Sequence, residues 1–559
     1  MKDFNSIIRY KHFIIIPLLS LWIIISLACS WRVVYPSELT ATAEAKHIDS
    51  KIIIETVTPQ TEENNNSNNK YNNNKDDINT STPGNPHTPT PFITETMDPP
   101  TPTIPEPTNI PVTPTQDLTK NPPVLYYTQS GDTLPALSIR FNVDPELIYS
   151  SEEDIPTSAL LEPNLLLLIP DNLDSTSDST KLLPDSEVVY SPSAIGFSTE
   201  SFVNQYDSYL KDYKEYLSTG WYSGAELIER VAIENSVNPR LLLALLEYQS
   251  GWVTGQPTNL ADTDYPLGWK VYKTKGLYRQ LSWAVEQMSL GYYGWRAGLI
   301  TEAEFPDNNS IRLSPDLNAG TVALQILFSN LYTLDDWNTV LYSENSFLTL
   351  YENMFDNPWL RSQKVEPLYP PNLTQPDMVL PFESGHTWSL TGGPHSAWGK
   401  DGALAALDFA PEAMEHGCVE SYEWVTASVA GLVVRTDTGV VILDLDGDGH
   451  EQTGWNILYL HVATNNRVKE DDWINVNDKI GHPSCEGGVA TGTHVHIARK
   501  YNGEWILADG PLPFNLGGWS AISGQKPYQG CLINGDDDVI IASTSGSHES
   551  LITRPKSVD

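Results

Sequence analysis

Two histidines one residue apart, His494 and His496 in TGTHVHIA (Thr491–Ala498), open the case for metal chemistry in this chain. On a strand, residues i and i+2 point to one face, so both imidazoles can enter one site while Val495 packs behind them. Such a pair is about as common on a plain surface strand as in a metal site, so other donors must decide. Upstream, GGPHSAWGKDGALAALDFAP (Gly392–Pro411) carries His395 and Asp408, joined by a glycine-containing loop. Asp408 stands in ALDFA, an otherwise apolar strand, where a carboxylate is costly to bury without a cation or donors. Backbone amides at a strand end would satisfy Asp408 alone, but they explain neither His395 nor the downstream pair. A further strand, ILYLHVAT (Ile457–Thr464), ends at His461. These five side chains meet the needs of a catalytic zinc: three protein ligands, an open position for water and nearby groups that move protons.

The elements that must position these residues read as an antiparallel β domain. Residues from about Leu380 to Trp519 resemble the beta-lytic and lysostaphin-type zinc endopeptidases. The resemblance rests on GGPH, LDFA, the YLH strand and CEGGVATGTHVH (Cys485–His496), in that order. The long spacing from His395 to Asp408 resembles the beta-lytic branch; the more widespread branch has a histidine four residues before its Asp, where this chain has Leu404. The resemblance implies a zinc endopeptidase domain over 378–532 that hydrolyses peptide bonds of bacterial peptidoglycan through a zinc-activated water. It assigns His395, Asp408 and His496 to the metal, and His461 and His494 to catalysis on its open side. Cys418 and Cys485 stand where that branch has a disulfide, with Cys531 outside the pair. His386, His416, His450 and His482 have no place in the pattern and are expected on exposed loops. Gly487, Gly488 and Gly492 are expected to let the chain turn close to the metal.

DLDGDGHEQTGW (Asp444–Trp455) fits the first half of an acidic calcium loop through Asp444, Asp446, Asp448 and Gly449. The closing Glu is missing, Trp455 standing there, and an Asp-Gly hairpin turn is the favoured reading.

Two modules precede the β domain. YYTQSGDTLPALSIRFNVDPELIYSS (Tyr126–Ser151), ending in LLEPNLLLLIP (Leu160–Pro170), reads as strand, turn, helix, turn, helix, strand, with Leu134, Leu137 and Phe141 on one helix face. Over 124–172 it resembles a LysM module, a βααβ unit that binds N-acetylglucosamine-containing glycans. Residues 198–365 read as helical. Proline at 239 suits the first turn of a second helix, and NPRLLLALLEYQSGW resembles the corresponding helix of lysozyme-like lytic transglycosylases. The catalytic Glu of that family is Gln249 here, which cannot donate the proton a glycosidic oxygen needs, and Glu247 lies on another side of the helix. The helical domain is therefore expected to bind glycan or to position its neighbour without cutting sugar.

The chain of 559 residues needs several domains, and its net charge of -38 argues against nucleic acid or an anionic membrane as main partner. Lys2, Arg9 and Lys11 precede FIIIPLLSLWIIISLA (Phe13–Ala28), which suits an export signal or anchor over 1–34 and an extracytoplasmic, cell-surface or secreted protein. SLAC (Ser26–Cys29) resembles a lipoprotein box; an uncleaved anchor helix is the alternative, so membrane contact is expected only there. Residues 35–123, rich in Asn, Thr and Pro, cannot offset their chain entropy by burial and read as a disordered tether. Residues 533–559 read as an acidic, polar tail. The expected architecture is multidomain α+β: LysM βααβ module, helical lysozyme-like domain, antiparallel β-sheet zinc endopeptidase domain. Peptidoglycan is the expected partner, its glycan through the module and its peptide through the β domain. The rival function is an inactive peptidoglycan-binding scaffold or a regulator of wall hydrolysis, from which an intact metal triad distinguishes an enzyme.

Overall fold

The computed structural model describes residues 122–151, 154–413, 417–535 and 538–556. The expected signal or anchor, nearly all of the tether and His416 lie outside the described residues. Among the described residues no helix is long and apolar enough to cross a membrane.

The small module is a two-stranded antiparallel sheet, β1 (Val124–Tyr127) with β2 (Leu166–Ile169), packed on α1 (Leu134–Phe141). The Thr133 hydroxyl caps α1 by accepting from Ala136 N–H, and Leu134, Leu137 and Phe141 are buried beneath the sheet. The second expected helix shrinks to one 3-10 turn, Pro145–Leu147. Pro145 starts it, and it stops because Ile148 turns extended and Tyr149 exchanges backbone hydrogen bonds with Leu168 of β2.

The helical segment forms where the sequence signals place it. Helix α2 (Gly224–Asn235) opens on a reciprocal cap between Ser223 and Glu226 and stops at Ser236, which takes a left-handed φ of 55°. Helix α3 (Pro239–Ser250) begins on the Asn238 cap with proline in its first turn. Helices α4 (Leu277–Arg296) and α5 (Ala319–Ser329) complete a core around Leu241, Leu245, Trp252, Met288, Trp295 and Phe328. Gln249 accepts from the Tyr332 hydroxyl at 2.9 Å. Glu247 is committed to the backbone N–H groups of Val253 and Thr254, at 2.8 and 3.0 Å.

The remaining sequence builds a nine-stranded sheet. Its strands are β3 (Thr387–His395), β4 (Ala406–Pro411), β5 (Gly431–Asp437), β6 (Val440–Asp444), β7 (Trp455–Leu460), β8 (Trp473–Ile474), β9 (Val495–Tyr501), β10 (Glu504–Trp505) and β11 (Leu551–Thr553). They run antiparallel in the order β8-β5-β6-β7-β9-β4-β3-β11, with β10 paired to β9. Strict alternation gives the sheet two buried faces. Leu407, Phe409, Val441, Leu443, Ile457, Tyr459, Val495 and Ile497 pack into one core. Ala406, Val440, Ile442, Leu458, Leu460 and Ala498 join the core of the helices on the other. Asp408 and His496 stand opposite each other in register on this second face.

The segment read as a tail is instead part of this fold. Leu551–Thr553 adds an edge strand beside β3, Ile552 is buried, and Arg554 donates to the carbonyls of Leu380 and Phe382. Its many polar residues hide one buried apolar side chain and one buried cation.

One guanidinium ties the segments together. Arg296, at the end of α4, pairs with Asp185 at 2.8 Å and with Glu504 of β10 at 3.0 Å, and donates to the Ser130 carbonyl of the small module. Two carboxylates make its burial tolerable. Beside it, burial and the neighbouring Asp185 push the Glu366 carboxyl up to about 7. The folded chain thus keeps a proton that the unfolded chain releases near 4.5, and this contribution to stability is lost as pH rises from there to about 7. Glu366→Gln is expected to raise the melting temperature by about 2–4 °C at pH 8 and to leave it nearly unchanged at pH 4.5, as thermal melts at the two pH values will show.

Candidate metal centre

Three neighbouring strands deliver three donors to one point. His395 ends β3, Asp408 lies in β4 and His496 in β9; all three are buried. His395 Nε2 lies 3.0 Å from His496 Nδ1, and each of these atoms lies 3.2 Å from Asp408 Oδ1. The other ring nitrogens are committed to backbone: His395 Nδ1–H donates to Gly393 O at 2.9 Å, and His496 Nε2–H to Ala397 O at 3.0 Å. In neutral rings that leaves two lone pairs and a carboxylate oxygen facing one another, and Asp408 Oδ1 is buried with no hydrogen-bond donor. A bound cation satisfies such a group. A tetrahedral zinc with bonds of about 2.0–2.1 Å needs donors roughly 3.3 Å apart, close to the triangle seen, and backbone acceptors on the outer nitrogens are the usual support of metal-bound histidine. Burial raises the Asp408 carboxyl, but His395, His496 and His494 outweigh it and hold the group well below the usual range. Gly392 makes room for this carboxylate, since a Cβ there would lie 2.6 Å from Asp408 Oδ2.

Two more imidazoles flank the triangle. His494 Nδ1–H donates to Gly492 O at 2.8 Å, and its Nε2 lies 3.7 Å from Asp408 Oδ1. His461 follows β7 with a left-handed φ of 65°, a conformation costly for a non-glycine residue and typical of sites that must aim a side chain. Its carbonyl accepts from Ser484 N–H at 2.7 Å, and its Nδ1–H donates to Glu486 O at 2.8 Å. The two rings lie 4.5 Å apart. Burial, then His494 and His496, push His461 down to about 4, so it is neutral at pH 7.

The structure therefore gathers all five expected residues. It adds Tyr528, whose ring stacks on His395 at 4.1 Å from a left-handed φ of 70°. Nothing in KPYQG marks this tyrosine, because its role comes from a loop that folds back more than a hundred residues later. Of the three glycines, Gly487 takes φ +84° with a Cβ position 2.4 Å from Thr438 O, and a Cβ on Gly488 would touch the His461 ring at 3.3 Å. Gly492 has only ordinary contacts. His386 and His450 are exposed as expected, whereas His482 is half-buried, stacked on Trp424 and bonded to Glu423 O. Asp444, Asp446 and Asp448 stand at the start of the long connection between β6 and β7, residues 445–454, where their carboxylates accept from backbone N–H groups and lie close enough together to hold a cation, so this connection is not a two-residue Asp-Gly turn.

Cys418 and Cys485 form a disulfide beside this site, and Cys531 is buried apart from it. Gly417 O and Val419 O, next to Cys418, accept from Thr493, so the bridge braces the residue before His494 as well as Glu486, which holds His461. Cys485→Ser is expected to lower stability by about 2–4 kcal/mol, read from denaturant melts, and to reduce turnover more than metal affinity.

Comparison with known proteins puts the chain beside peptidases, metalloendopeptidases among them. Residues 181–370, the helical segment with its flanks, match the family model described as LasA, N-terminal domain. Protease LasA of Pseudomonas aeruginosa is 25% identical over 322 residues, covering 52% of this chain and 71% of that protein. Beta-lytic metalloendopeptidase of Achromobacter lyticus is 28% identical over 141 residues, 24% of this chain and 35% of that protein. Among solved structures, the M23 metalloprotease pseudoalterin matches at 22% identity and a TM-score of 0.26, over 31% of this chain and 96% of its own.

Proposed function

We propose that this chain is an extracytoplasmic zinc endopeptidase that cuts the peptide part of bacterial peptidoglycan. The observation that carries the reading is the triangle of His395, Asp408 and His496, whose inward atoms have no donor. Zinc bound there would polarise the scissile carbonyl and lower the pKa of a bound water to about 7. The protein does the rest. With both Nδ1–H groups committed to carbonyls, Nε2 of His461 and of His494 can only accept a proton at first, and can donate it afterwards. The His494 imidazole, its Nε2 3.7 Å from the ligand carboxylate, is placed to take the proton of the attacking water and pass it to the leaving amine. The Tyr528 ring walls the site over His395 and limits how the ligand can turn.

The two preceding segments are read as wall-binding parts. Glycan binding by the small module must use a surface away from residues 129–131. Gln129 donates to the carbonyls of Asp316 and Leu317, and Arg296 donates to Ser130 O, so that loop is engaged by the helical segment. Tyr127 and Tyr149 remain exposed. The helical segment is taken to position its neighbour, because Gln249 cannot act as an acid and Glu247 serves as a helix-end acceptor. The test is to incubate the purified chain with peptidoglycan and identify the new ends by mass spectrometry. New amino termini support the reading; a folded, zinc-loaded chain that releases none makes it the inactive scaffold.

A further inference from the structure

The connection between β6 and β7 gathers three carboxylates around a buried oxygen that has no donor. Asp444, the last residue of β6, is fully buried, and its two oxygens accept from Asp446 N–H at 3.2 Å and Gly449 N–H at 2.9 Å. Asp446 and Asp448 are exposed. One oxygen of each carboxylate lies within 4.8 Å of the other two. Ligand oxygens on a calcium ion, at about 2.4 Å from it, are at most about 4.8 Å apart, so one ion can meet all three. Burial and the neighbouring Asp446 push the Asp444 carboxyl up to about 6, against the Gly449 N–H that lowers it.

The buried oxygen belongs to Asn456, one residue past the position where a calcium loop closes. Asn456 is fully buried in β7, directly opposite Asp444. Leu445 N–H donates to Trp455 O, so Asp444 and Asn456 form the adjoining pair without mutual hydrogen bonds, in which side chains stand closest. Asn456 Nδ2 donates to Thr453 O at 2.7 Å, which orients the amide and leaves Oδ1 buried without a donor. The other carboxylates arrive at the same place. The Thr453 hydroxyl donates to the Asp448 oxygens at 2.9 and 2.8 Å, and a Cβ on Gly454 would collide with Asp446 Oδ2. Lys500, opposite Asn456 on β9, is engaged by Glu451 at 2.8 Å and does not serve this oxygen.

We propose that Asp444, Asp446, Asp448 and Asn456 Oδ1 bind one calcium ion, with water completing its shell. Calcium takes six to eight oxygens in loose geometry, from carboxylates, amide carbonyls and water, whereas magnesium demands a near-ideal octahedron. A neutral amide in place of the closing bidentate glutamate makes the site weak, with a Kd of about 10⁻⁴–10⁻³ M, the range of extracellular modules. The ion clamps the start of β7, the strand that leads to His461. None of its ligands belongs to the His395–Asp408–His496 triangle, so the site stands or falls apart from the zinc reading.

The experiment is equilibrium dialysis with radioactive calcium on the full chain incubated with zinc, for wild type, Asp446→Ala, Asn456→Ala and Asn456→Asp, each checked for folding by circular dichroism. Wild type is expected to bind one calcium per chain. Asp446→Ala and Asn456→Ala should each bind about tenfold more weakly or worse, and Asn456→Asp, which adds charge to the same oxygen, should bind more tightly than wild type. Asp446 is exposed, so its variant reports even where a change at buried Asn456 disturbs folding. No saturable binding by wild type at about 10 mM calcium, well above the weakest Kd of such loops, overturns the proposal. Wild-type affinity in Asp446→Ala or in folded Asn456→Ala overturns it as well, by placing the ion elsewhere.

Discussion

Asp408→Ala is expected to abolish zinc binding and peptide cleavage together, the largest effect of any single change considered. Asp408 supplies the anionic donor of the triangle, at 3.2 Å from both imidazole nitrogens, and no other carboxylate among the described residues joins that group. Two neutral histidines alone leave the site one ligand short of a catalytic zinc. The metal-free variant should nevertheless fold, because the change removes a carboxylate that lacks a donor on its inner oxygen. Zinc content by elemental analysis and cleavage of peptidoglycan should be read on the same preparation. Zinc retained in Asp408→Ala would remove this residue from the ligand set.

His494→Ala should give the opposite pattern, with zinc retained near one ion per chain and turnover lowered about 10²- to 10⁴-fold, the range for a lost acid-base group. His494 stands farther from Asp408 Oδ1 than His395 or His496, 3.7 against 3.2 Å, and its outer nitrogen is fixed by Gly492 O. Its loss therefore removes a proton carrier while the triangle stays closed. Undiminished turnover would sink its assignment, and the same measurement on His461→Ala tests the neighbouring ring.

The triangle of His395, Asp408 and His496 was legible because its residues sit in short motifs: His494 and His496 at i and i+2, Asp408 inside an apolar strand. What fixes their nitrogens was not. The carbonyls of Gly393, Ala397, Glu486 and Gly492 carry no side-chain signal, and Tyr528 reaches His395 only through tertiary folding. The helix start at Pro239 was readable because proline suits a first turn, which is a local signal. The shared core was not, since Ala406, Leu458 and Ala498 look like ordinary strand residues until the helices are seen against them. The second helix of the small module failed because Tyr149 pairs with Leu168 of β2, and the supposed tail failed because pairing between Leu551–Thr553 and β3 spans more than 150 residues.

The Arg296 guanidinium has a mechanical consequence. Because it holds the Ser130 loop and Glu504 of β10 from the end of α4, any swing of the small module relative to the His395–Asp408–His496 triangle has to break its contact with this buried guanidinium. On the proposed wall-binding reading, a sugar strand gripped by that module would present its peptide stems at one offset from the cutting point. The assembly would then measure distance along the wall as a ruler does.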